Sequence, residues 1–172
     1  MTLTPQLARP PWSNTVQLNV VVTVDVARAL SRGSLEDAVW LIDNGVGSGG
    51  IGTGHLHTAC RPGQAVNWIV RPVDAARRPD GSWPPSVRIC AIVFLDDEDD
   101  AADGKVCEDF AIYGMPDKMR VPATPVYQYW AGAVVPDLVP GTYRYRLILE
   151  LDQADGSVVR LNSPEYPALV VA

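Results

Sequence analysis

The chain has 172 residues, 47% of them hydrophobic, three cysteines and a formal charge of −6. That length suits one domain with its own core and leaves little for a second. An acidic balance without clustered Lys and Arg argues against nucleic acid as a partner, and no apolar run approaches the roughly 20 residues that a membrane-spanning helix needs, so a membrane is not an expected partner either.

Residues 1–14, MTLTPQLARPPWSN, hold three prolines and no periodicity and read as an extended N-terminal arm, with Trp12 placed to pin it to the body. This stretch has neither a basic start followed by an apolar segment nor a small-residue cleavage site, so no secretory signal is visible and the cytoplasm is the expected location. Cys60, Cys90 and Cys107 are far apart and lack CxxC spacing, which fits free, buried thiols in a reducing compartment.

Residues 15–172 read as one β domain. Val16, Leu18, Val20, Val22, Val24 and Val26 occupy alternate positions, which on a strand puts them on one face, while Gln17, Asn19, Thr23 and Asp25 face the other way with only Val21 apolar. ARAL and SLED, between Ala27 and Asp37, allow a helical turn capped by Ser34, too short to stand alone. A second strand, Ala38 to Ile42, ends in the turn signal Asp43-Asn44-Gly45.

Six glycines fall among the eleven residues Asn44 to Gly54. Neither the helix that should follow a dinucleotide fingerprint nor the GK[ST] of a P-loop comes after them, so the segment reads as a hairpin or surface loop. HLHTAC then alternates like a strand, and AVNWIVRPV is the next, with Trp68 expected to be buried. VRICAIVFL reads as a central strand covered on both faces, and YQYWAGAVV as a further strand with a glycine that permits a bulge. In TYRYRLILELD, Tyr143, Tyr145, Leu147, Leu149 and Leu151 share one face; VVRL and ALVVA close the chain. About eight strands, Gly and Pro turns and no long helix predict an all-β fold: an antiparallel β-sandwich, with a jelly-roll-like barrel as the alternative.

VVVTVDVARALSRGSLEDAVWLIDN, HTACRPGQAVNWIV, YWAGAVV followed by YRYRLIL, and the terminal ALVV resemble, in that order, the bacterial inclusion body protein family typified by PixA and AidA. The resemblance implies a small cytoplasmic β protein, in some members forming intracellular inclusions, with no established enzymatic activity.

Candidate chemistry is sparse. His55 and His57, the only histidines, have the i, i+2 spacing that points both rings to one side of a strand, a possible pair of metal ligands for which Asp43 or another distant acid would have to complete the set. Asp96, Asp97, Glu98, Asp99, Asp100 and Asp103 form an oxygen-rich run that does not follow the EF-hand order and reads first as a solvated loop, with calcium binding as the alternative. Tyr127, Tyr129 and Trp130, with Tyr143 and Tyr145 downstream, form an aromatic group suited to core packing, subunit contact or a ligand platform. Asp25 on the polar face of the first strand and Asp43 and Asn44 at the end of the second are further ligand or interface candidates, for which turn and loop hydrogen bonding is the plain account, and no Ser-His-Asp spacing identifies a nucleophile. The leading expectation is a non-enzymatic homo-oligomer acting through a strand edge or aromatic face, with no cofactor indicated. The alternatives are a small-ligand or carbohydrate-binding module, calcium-assisted, and a metal-dependent enzyme using His55 and His57.

Overall fold

The computed structural model describes residues 17–74, 79–82, 85–114, 128–164 and 166–172. The expected arm at 1–14 and Tyr127 lie outside them. In chain order the elements are β1 (Leu18–Val24), α1 (Val26–Arg32), β2 (Val39–Ile42), β3 (His57–Cys60), β4 (Ala65–Pro72), β5 (Val87–Phe94), β6 (Cys107–Gly114), β7 (Gln128–Val134), β8 (Gly141–Asp152), β9 (Val158–Asn162) and β10 (Ala168–Val171). They form two five-stranded sheets. The first has the order β2-β1-β4-β7-β6; the second has the order β3-β10-β8-β5, with β9 also paired to the long strand β8.

The all-β sandwich expected from the sequence is the observed architecture, and the sheets do not close into a barrel. They are mixed: β1 runs parallel to β4 and β10 parallel to β3, while the remaining pairs are antiparallel. Two expectations need correction. VRICAIVFL is not central: β5 ends its sheet, paired among the described residues to β8 alone, and most of its side chains are only half-buried. The helical turn is α1, which begins at Val26 and is capped by Asp25, whose carboxylate accepts from Arg28 N; Ser34 instead accepts from Glu36 N in the following turn. Gly33, at φ 64, ends the helix and donates its N–H to Ala29 O, a left-handed cap that glycine adopts without steric cost.

The core follows the alternation. Leu18, Val20, Val22 and Val24 of β1, Val66, Trp68 and Val70 of β4, and Tyr145, Leu147, Leu149 and Leu151 of β8 point between the sheets and are buried. Each fully buried side chain of this kind contributes about 1.5–3 kcal/mol through removal of apolar surface from water. Rings of both sheets meet there: Trp68 contacts Phe110 and Tyr145 at 5.6 and 5.8 Å between centroids, and Phe94 joins Phe110 and Tyr145.

Candidate functional site

The glycine-rich segment is an ordered seam. It exchanges backbone hydrogen bonds with β2, Leu41 N to Thr53 O at 3.1 Å and Gly52 N to Leu41 O at 2.8 Å, and with the other sheet at β3, His57 N to Gly49 O at 2.8 Å and Gly49 N to His57 O at 3.0 Å. Ser48 Oγ accepts from Ala59 N further along β3. Gly50, at φ +67, sits so close that a Cβ would lie 2.4 Å from His55 O, so this crossing requires glycine. Both histidines are exposed at the margin of this seam. Among the described residues no three His, Cys, Asp or Glu side chains converge as a metal site.

The acid run is held from within. Asp96 Oδ1 accepts from Glu98 N and Asp100 N, folding the loop over its own first residue. Two arginines on the outward side of β8 meet the rest: Arg144 pairs with the Asp99 carboxylate at 2.7 Å and donates to Asp96 O, while Arg146 donates to Asp99 O. Both guanidinium groups lie over the Tyr166 ring, at 5.7 and 5.4 Å. Two arginine side chains thus stand against the acid run. Beside the loop lies a cleft of about 290 Å³ whose apolar wall includes Phe94, Leu138 and Tyr143 and whose polar wall includes Asp96, Asp97 and Lys105.

The aromatic candidates separate. Trp130 turns inward, packs 5.0 Å from Phe110 and donates its indole N–H to Ile89 O in the opposite sheet. Tyr145 is fully buried, and burial pushes its hydroxyl well above the usual phenol range. Tyr143 is half-buried and donates to Val139 O at 2.6 Å. Tyr129 points to the outer face of the first sheet, where it stacks on Tyr113 of β6 with centroids 6.0 Å apart and planes 24° from parallel. Register extends that pair into a row across the whole sheet: Ile42 of β2 opposes Val21 of β1, Val21 opposes Ile69 of β4, Ile69 opposes Tyr129 of β7, and Tyr129 opposes Tyr113 of β6. The ends of the row are open to solvent, Ile42 at 46% and Tyr113 at 39% exposure. Sequence reading missed Tyr113 and its strand, and it had Val21 only as an exception on a polar face.

The other candidates have structural tasks. Asp25 is the cap of α1 and also pairs with Arg28 at 3.5 Å. Asn44 imitates a strand residue, its Oδ1 accepting from Asn19 N at 2.8 Å and its Nδ2 donating to Gln17 O at 3.1 Å, which extends the β2 side of the ladder past the end of the strand. Asp43 Oδ1 accepts from Gly45 N and fixes the turn into the glycine seam. Asp25 and Asn44 thus belong to separate turns, and neither joins the aromatic row.

The cysteines are free, Cys60 and Cys107 buried and Cys90 half-buried. Burial pushes the Cys60 thiol up to about 11 and the Cys107 thiol up to about 12, with a smaller contribution to Cys107 from Cys60; Cys90 is raised by burial and then by Glu150. None has the lowered pKa of a nucleophilic thiol.

Residues 16–83 match a family described as a domain of unknown function, DUF8788. No curated protein matches the chain in sequence. Among solved structures, the chain is similar to the crystal structure of an inclusion body protein, PixA, from Burkholderia cenocepacia J2315, at a TM-score of 0.63 and 11% identity, covering 93% of this chain and 99% of that one. The resemblance drawn from sequence motifs is therefore borne out as a shared fold, over nearly the full length of both chains.

Proposed function

We propose that this protein works by self-association, using the outer face of the β2-β1-β4-β7-β6 sheet as the contact between copies, in the cytoplasm and without catalytic turnover. The observation that carries the reading is the apolar row Ile42, Val21, Ile69, Tyr129 and Tyr113, one residue from each of the five strands. A row in register crosses the whole outer face, which a second copy can cover by a two-fold operation, the commonest symmetry of soluble oligomers, and stacked tyrosines provide large, rigid contact area at such a surface. The row ends at β6, paired among the described residues only to β7, where a free strand edge adds main-chain donors and acceptors to the same surface. The shared fold with an inclusion body protein agrees with this reading. Light scattering after size exclusion, across a concentration series, is the test. The expected mass is a multiple of the 18.6 kDa chain, and Ile42→Lys with Tyr113→Lys, both at exposed positions, should return it to one chain with the melting temperature of the protomer kept. A wild-type protein that stays at one chain up to millimolar concentration defeats the reading.

The cleft beside the acid run favours a second reading, a small-ligand site with Tyr143 as its flat wall and Asp96, Asp97 and Lys105 as polar contacts. Calorimetric titration with calcium and with neutral monosaccharides tests it. Saturable heat that is lost in Asp97→Asn supports this reading, and no heat from either ligand class removes it.

A further inference from the structure

The cleft beside the acid run ends on the hydrophobic core. Leu95 and Val106 in its wall are buried, and Phe94, Leu138 and Tyr143 are half-buried and packed against the core cluster. Backbone bonds fix these walls. Leu95 N donates to Arg144 O of β8 at 2.9 Å, Ala102 N to Phe94 O at 2.9 Å, and Val135 N to Val106 O at 3.0 Å, so both ends of the acid loop are tied to the sandwich. The Tyr143 hydroxyl already donates its proton to Val139 O.

The exposed part of the lining carries charges of both signs, Asp96, Asp97 and Lys105. Asp96 is occupied, because its Oδ1 accepts from Glu98 N and Asp100 N. Among the described residues no ion pair involves Asp97 or Lys105. One carboxylate and one ammonium are thus left for a ligand at the mouth of an apolar slot.

This pair selects by charge. A ligand with only a carboxylate would be drawn to Lys105 and repelled by Asp97, and a simple amine would meet the reverse, whereas a zwitterion satisfies both. The volume of about 290 Å³ lies at the lower end for ligand pockets, which suits one amino acid and not a peptide. We propose, resting on the ligand-site reading only for the cleft itself, that it binds an apolar α-amino acid. The α-carboxylate pairs with Lys105, the α-ammonium with Asp97, and the side chain lies against Phe94, Leu138 and Tyr143.

Calorimetric titration with L-leucine and L-phenylalanine, set against N-acetyl-L-leucine, L-leucinamide and glycine, tests this. Saturable heat from leucine or phenylalanine is expected, with the two blocked forms and glycine weaker by about tenfold or more. Two variants separate the contacts. Asp97→Asn should erase the difference between leucine and its N-acetyl form, and Lys105→Gln the difference between leucine and its amide. Both side chains are exposed, so circular dichroism should show both variants folded as the wild type. Blocked forms that bind as tightly as leucine, or leucine binding unchanged in both variants, overturn the proposal. Heat from calcium or a monosaccharide with none from the amino acids also overturns it and leaves the earlier reading of the cleft standing, while silence from every ligand removes both.

Discussion

Trp130 of β7 donates its indole N–H to the carbonyl of Ile89 on β5, 3.0 Å across the gap between the two sheets. Ile89 is the last residue before the register of β5 against β8 shifts, so its carbonyl sits where the ladder is locally disturbed. A side chain of one sheet thus completes a backbone irregularity in the other. Trp130→Phe should keep the contact with Phe110 and lose this bond, costing about 1 kcal/mol. Urea denaturation should show a lower midpoint with an unchanged slope; an unchanged midpoint means the bond contributes nothing net.

Trp68 has no exposed surface and meets rings from two other strands. Truncation to alanine removes the largest buried side chain in the centre of the sandwich and should cost about 3–5 kcal/mol. Thermal unfolding followed by circular dichroism checks it, and a loss under 1 kcal/mol would show that the site collapses around the gap.

Thiol titration separates the cysteines. Cys60 and Cys107, pushed up to about 11 and about 12 by burial, hold almost no thiolate at pH 8 and are shielded from reagent. Cys90 is half-buried, raised by burial and then by Glu150, and open to reagent where the other two are not. A disulfide reagent at pH 8 should therefore release close to one equivalent per folded chain, a phase that Cys90→Ser abolishes, and three per chain in denaturant. A fast phase of two or more equivalents from the folded protein contradicts these placements.

Glu150 gives a pH signature. Its carboxylate lies between Arg160 Nε at 2.7 Å and Arg88 Nε at 2.6 Å, and the Arg160 hydrogen bond, followed by that of Arg88, holds it below the usual carboxylate range. A carboxylate with a lowered folded-state pKa contributes stability that is fully present above its unfolded value and is lost as pH falls through the folded one. Glu150→Gln should be less stable than wild type at pH 7, with the difference shrinking once pH drops below about 4. A difference that stays constant from pH 7 to pH 3 would show that the charge of Glu150 plays no part.

What could be read in advance divides along physical lines. The alternation in β1 and β8 announced itself because one face of each strand is dry, and that polarity is written into neighbouring residues. β6 was missed because it exposes nearly every side chain: CEDFAIYG has no buried period to betray it. The parallel pairing of β1 with β4 joins residues nearly fifty positions apart, such as Leu18 with Val66, and no local pattern encodes it. The apolar row escaped for a related reason. Each strand supplies only one member, and in β1 that member, Val21, stands alone between Asn19 and Thr23. Asp43 and Asn44 were legible as turn formers, but that Asn44 would substitute for a strand residue against β1 depends on a fold no short window contains.

The seam of glycines between β2 and β3 has a consequence for how copies can meet. By spending the outer hydrogen-bonding groups of Leu41 and His57 on its own loop, the chain removes a border strand of each sheet from the sites where another molecule could continue the ladder. Growth by strand addition at that side is closed, and the ladder ends that remain among the described residues include the β5 and β6 borders, each paired to one strand. The glycines that allow the seam to lie so close therefore limit where the ladder can be extended as well as shaping the backbone.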